Sequence, residues 1–130
     1  MPYYRFTISA SGPSAARKKE IAEAVTDAHR RVTGAPTDYV NCSFTEVPPG
    51  SMFVSGAPVE AGRMMGLIRK GREESLKRRL ITELAEAWST ACGERIDEIA
   101  IFLHEVPGYQ CFEAGEILRE AWEDPEAVLA

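Results

Sequence analysis

Met1-Pro2-Tyr3-Tyr4-Arg5-Phe6-Thr7-Ile8 opens the chain, and the reading of this stretch decides the fold. Tyr4, Phe6 and Ile8 alternate with Tyr3, Arg5 and Thr7, the period-2 pattern of a strand with one buried face. Pro2 stands at the first position of that strand, where a missing N–H sacrifices no ladder bond. Removal of Met1 would leave Pro2 with a free secondary amine, a group suited to proton transfer once burial lowers its pKa.

Beyond Ser9, the turn-forming Ser11-Gly12-Pro13-Ser14 leads into Ile21, Val25, Ala28 and Val32 on one helical stripe, so a helix is expected from about Ser14 to Thr33. Gly34 and Pro36 end it. Tyr39 to Phe44 alternates again as a second strand, closed by Pro48-Pro49-Gly50, and a short irregular hairpin is expected over Met52 to Pro58. The second half follows the same order: a strand from about Met64 to Ile68, a helix from Glu73 to Cys92 with Leu76, Leu80, Leu84, Ala87, Trp88 and Ala91 as its stripe, and a strand from Ile99 to Leu103. Pseudo-repeats over about 2–48 and 64–104 thus make one domain of α+β class, in α/β layers: two tandem β-α-β units sharing a four-stranded mixed sheet, with two helices on one face. Phe112 to Trp122 is read as a last short helix. Its acidic run, Glu116, Glu120, Glu123, Asp124 and Glu126, is read as a solvated face.

Each β-α-β unit is right-handed with parallel strands. If the two units join antiparallel through their first strands, Pro2, His29 at the end of the first helix, Arg69, Arg72 and the segment after Leu103 converge on one sheet edge. The opposite sheet face is left bare, and self-association is the expected remedy.

The 130 residues suit one domain. Twenty acidic against fifteen basic residues give a net charge of −5, which argues against nucleic acid as a partner. No apolar run is long enough to cross a membrane and the first residues are too short and polar for a signal peptide, so a cytoplasmic location is expected. Cys42, Cys92 and Cys111 lack C-x-x-C spacing and suggest neither a zinc site nor a disulfide framework.

Arg69-Lys70-Gly71-Arg72 is the dense basic cluster between a strand end and a helix start. It can grip a carboxylate with fork-shaped donors, or it is a solvated loop balanced by Glu73 and Glu74. His29 can face the site or merely complement the helix dipole. His104 is a weaker candidate, and Glu113 by pattern alone is one acid among many.

Together these residues resemble the tautomerase superfamily, and most of all the group of cis-3-chloroacrylic acid dehalogenase. The resemblance rests on Met1-Pro2, Thr26-Asp27-Ala28-His29-Arg30, Arg69-x-Gly71-Arg72, Glu105-x-Pro107 and Glu113-x-Gly115 in that order. It implies a homotrimer with neither metal nor organic cofactor, acting on a small carboxylate. Pro2 would carry the proton, His29, Arg69 and Arg72 would bind and polarise the carboxylate, and Glu113 would activate water in hydration. Phe102 stands where the family dehalogenase has a tyrosine, and Tyr109 and Tyr4 are the phenols that remain to substitute. That favours keto-enol exchange of a 2-oxo acid such as phenylpyruvate over dehalogenation of a cis-3-haloacrylate. A trimer that binds carboxylates without catalysis is the third expectation, and it follows if Met1 stays attached.

Overall fold

A computed structural model describes residues 1–123. Its centre is a four-stranded sheet built from β1 (Tyr3–Ser9), β2 (Asn41–Val47), β5 (Arg63–Arg69) and β6 (Ala100–Val106). Between β2 and β5 lies a small hairpin, β3 (Phe53–Val54) with β4 (Ala57–Pro58); a second one, β7 (Phe112–Glu113) with β8 (Glu116–Ile117), follows β6. Helices α1 (Lys18–Thr33) and α2 (Glu74–Cys92) fill the two crossovers. The sheet order is β2-β1-β5-β6, with β1 parallel to β2, β5 parallel to β6, and the two pairs joined antiparallel through β1 and β5. This is the architecture expected above, two β-α-β units sharing one four-stranded mixed sheet.

Alternation along β1 produces the core directly. Tyr4, Phe6 and Ile8 are buried toward the helices while Arg5 and Thr7 point outward. Ile21, Val25, Ala28 and Val32 of α1 and Leu80, Leu84 and Trp88 of α2 close over them, each at or near zero exposure. Burying each large aliphatic side chain contributes roughly 1.5–3 kcal/mol. Phe6 stacks on Phe44 at 4.6 Å and meets Trp88 edge-on at 5.0 Å, so one strand residue ties β2 to α2. Gly66 faces the same core, and its missing side chain lets the Tyr4 ring lie flat: a Cβ there would come within 2.8 Å of both that ring and Leu103. On the other face Met65 and Phe102 remain about half exposed.

Several boundaries differ from expectation. Helix α1 begins at Lys18 rather than Ser14 because Ser14 is spent on a tertiary network. Its buried hydroxyl accepts the Trp88 indole N–H at 3.0 Å and donates to Glu94 at 2.7 Å, while Glu94 also accepts the Gly62 N–H. Burial raises the Glu94 pKa within that network. Strand β2 starts at Asn41, since Pro36 leads into a 3-10 turn over Thr37–Tyr39. Strand β6 runs on to Val106, so His104 lies within it.

The largest correction concerns the helix read over Phe112 to Trp122. That segment is the β7–β8 hairpin and a 3-10 turn over Ala121–Glu123. Ala114 and Gly115 take φ of 57° and 84°, and the corresponding Ser55 and Gly56 take 51° and 78°. Positive φ at both central residues is what a two-residue type I′ hairpin turn requires, and a helix excludes it. The acidic residues there are partly structural: Glu120 accepts the Gly108 N–H at 3.1 Å and Glu123 accepts that of Glu120. Asp124 and Glu126 lie outside the described residues.

Gly66→Ala should lower unfolding stability by about 1–3 kcal/mol, the range for overfilling a packed core, despite alanine's better backbone entropy. Urea unfolding checks this; an unchanged midpoint would mean the ring has room to move.

Candidate functional site

The site forms where the start of β1 meets the start of β2 and the end of β5. Pro2 is buried, and its carbonyl accepts both the backbone N–H of Asn41 at 3.0 Å and the Asn41 side-chain amide at 3.2 Å. Antiparallel pairing sets Tyr3 opposite Leu67, which brings Arg69, the last residue of β5, to the same edge. Arg69 is 8% exposed and donates from Nη1 to the Arg119 carbonyl at 2.9 Å. Arg72 reaches back from Nη1 to the Arg69 carbonyl at 3.4 Å. Gly71 between them takes φ of 117°, and its Cα lies under the Trp122 ring, which a Cβ would approach to 2.3 Å. The Arg69–Arg72 loop is thus held from above by the segment after β8.

Glu113 comes from β7. Its Oε1 pairs with the Met1 amine and its Oε2 accepts from the Asn41 amide at 2.8 Å. Burial, then the Arg69 charge, push that amine down to about 6 despite the carboxylate beside it. A cavity of about 510 Å³ opens here, with Met1, Tyr39, Arg69, Glu113, Ile117 and Arg119 in its wall. A second cavity of about 460 Å³ is lined by Tyr3, Asn41 and Cys111, and Met1 borders both.

His29 is 1% exposed, and its Nδ1 lies 2.6 Å from the Tyr4 hydroxyl. Its pKa falls to about 3, chiefly by burial, then by the charges of Arg72, the amino terminus and Arg69. The ring is therefore neutral at physiological pH. Burial also raises the Tyr4 phenol above its ordinary value.

Of the expected residues Arg69 and Glu113 line the first cavity, while Pro2, His29 and Arg72 line neither; the charges of Arg72, the amino terminus and Arg69 nonetheless act on His29, and Glu113 pairs with the amino terminus, so these residues share one edge of the sheet. Phe102 and Tyr109 do not: Phe102 sits on the bare sheet face opposite Met65, and Tyr109 is 68% exposed on a 3-10 turn. Neither lines the cavities. Tyr4 supplies no spare phenol either, because its hydroxyl is taken up by His29. His104 is exposed beside Leu67. Two residues of the site escaped the sequence reading. Asn41 could have been found by aligning the parallel strands, which sets it opposite Tyr3; Arg119 carried no signal.

The family described as "Putative oxalocrotonate tautomerase enzyme" matches residues 1–110, so Glu113 and Arg119 lie beyond the matched span. N1, a member of the cis-3-chloroacrylic acid dehalogenase family, is similar at 23% identity and a TM-score of 0.85, covering 91% of this chain and 84% of its own. Pt0534 inactivated by 2-oxo-3-pentynoate gives 26% identity and a TM-score of 0.80, over 89% of this chain and 94% of its own. A wild-type fused 4-OT symmetric trimer gives 23% and 0.81, with 89% and 94% covered. No curated protein matches.

Neutral burial of His29 has a stability consequence. Between about pH 6.5 and pH 3 the unfolded chain takes up a proton that the folded histidine refuses, so stability falls as pH drops through that window. The slope from this one group approaches about 1.4 kcal/mol per pH unit. His29→Gln should flatten the pH dependence of the urea midpoint between pH 6.5 and 4; parallel curves for the two proteins would contradict it.

Proposed function

Given that the chain belongs to the oxalocrotonate tautomerase enzyme family, by a match over residues 1–110, we propose that it is a cofactor-independent tautomerase of small 2-oxo acids, with phenylpyruvate as a representative substrate. The observation that carries this reading is the amino terminus set in a cavity wall beside Arg69, with its amine lowered to about 6. An amine with such a pKa is largely neutral at pH 7 and can act as a base. That amine is Met1's; removal of Met1 would free the Pro2 nitrogen at the same edge, where Pro2 is itself buried and desolvation acts in the same direction. Arg69 and Arg72 hold the substrate carboxylate as fork-shaped donors. His29 donates to the C2 oxygen, where negative charge develops. Pro2 takes the enol O–H proton and a proton is returned to C3, so the exchange is balanced without an oxidant or metal. The apolar wall from Ala35, Pro36, Tyr39 and Ile117 suits a non-polar substituent on C3.

A second reading is hydration of an unsaturated acid such as a cis-3-haloacrylate, and the Glu113 carboxylate favours it. Held by Asn41 at the amino terminus, it could steer water to C3 while a protonated Pro2 delivers to C2. Phe102 offers no hydroxyl to help. A retained Met1 turns the proline nitrogen into an amide, and the protein is then a carboxylate binder. A homotrimer completes the reading: the fused 4-OT relative is a trimer, and Met65 and Phe102 on the bare sheet face supply apolar surface to cover.

Pro2→Ala should slow ketonisation of phenylenolpyruvate by ~10²–10⁴-fold, the usual worth of a positioned acid/base group, with the fold retained. Loss of the enol absorbance is the readout, and undiminished rates would remove the proline mechanism. Intact mass of the native protein decides between enzyme and binder, since retention of methionine leaves only binding. Chloride release from cis-3-chloroacrylate that disappears in Glu113→Gln would establish the hydration reading.

A further inference from the structure

We propose that Tyr4 fixes the tautomer of His29, keeping Nδ1 as a hydrogen-bond acceptor so that the proton resides on Nε2 and is offered to the bound substrate oxygen. Tyr4 is then a positioning residue, acting on the substrate through the imidazole. The hydrogen bond is short, at 2.6 Å, and both partners are buried, with exposures of 0% for Tyr4 and 1% for His29. A neutral imidazole has one N–H and one lone pair, and the bond at one nitrogen decides which is which.

The direction of the bond follows from the phenol. The Tyr4 hydroxyl makes no other hydrogen bond among the described residues. Were Nδ1 to donate, the phenolic proton would be stranded in the core with no acceptor, which costs as much as a lost buried hydrogen bond. With the phenol donating, both partners are satisfied. The charged groups acting on the ring are Arg72, the amino terminus and Arg69, all of one sign, and they oppose a second proton on it.

Packing holds the phenol in this pose. The Tyr4 ring meets the His29 ring edge-on at 5.7 Å and 66°. Beneath it Gly66 leaves no space to spare, since even a Cβ there would come within 2.8 Å of the ring. Tyr4 is anchored by β1 and His29 by α1, so the tautomer is written into the strand-on-helix packing rather than into a loop. The consequence for catalysis is that the donor is fixed before substrate arrives, with no proton to relocate during turnover.

The tautomer assignment stands on geometry alone, and only its use toward substrate rests on the function proposed above. The chain has two histidines, so ¹⁵N-histidine labelling with long-range proton–nitrogen correlation resolves both, the second being assigned through His104→Gln. At pH 7 the full-length protein should show His29 as a pure Nε2–H tautomer, and Tyr4→Phe should give a mixture with Nδ1–H. An Nδ1–H form or an imidazolium in the unmodified protein overturns the proposal, as does an unchanged tautomer in Tyr4→Phe. If that variant does not fold, the spectrum of the unmodified protein decides alone. In kinetics Tyr4→Phe should lower kcat and kcat/KM for phenylenolpyruvate about ten-fold, the equivalent of 1.4 kcal/mol, with KM changed less. Absence of all tautomerase activity alongside an Nε2–H His29 would remove the function while leaving the assignment intact.

Discussion

The antiparallel pairing of β1 with β5 is the constraint on which the rest of the molecule depends. It puts Tyr3 opposite Leu67, and so lays the chain's first residues beside the outgoing end of β5, where Arg69 and Arg72 follow. A one-residue slip would turn Tyr4, Phe6 and Ile8 away from the helices. The hydrophobic alternation that buries the core therefore also sets the distance between the amino terminus and the arginines. Folding energy and site geometry come from the same register.

Burial then assigns the protonation states. The edge collects two guanidinium groups and an amine, whose charges oppose a proton on the imidazole. Enclosure by Tyr4 and the helices acts more strongly in the same direction and makes His29 neutral, and desolvation also lowers the terminal amine. Among the described residues Glu113 is the carboxylate paired with the amine, and it is steadied by Asn41, a residue that also fastens the Pro2 carbonyl. Asn41 is thus the hinge between backbone order and acid placement.

Much of this was legible in the sequence, for physical reasons. Strand and helix stripes, the Gly34 stop and the convergence of Pro2, His29, Arg69 and Arg72 all follow from periodicity and handedness, which act locally and repeat. The failures came where a residue serves a distant partner. Ser14 resembles a helix cap but spends its hydroxyl on Trp88 and Glu94. Phe112 to Trp122 looked helical because its spacing is compatible with a helix, while the decisive fact is the pair of positive φ angles at Ala114 and Gly115. Tyr4 read as a core aromatic and is one, yet its hydroxyl is what determines the histidine.

The β7–β8 hairpin contributes no strand to the four-stranded sheet and pairs only with itself. It nevertheless carries Glu113, while proline, histidine and arginines are all rooted in the sheet and its helices. The groups proposed to grip the anion and carry the proton therefore sit on the framework, and the acid sits on the hairpin. Under the function proposed above, a substitution in that hairpin would change the acid while leaving the ladder bonds of the four-stranded sheet in place.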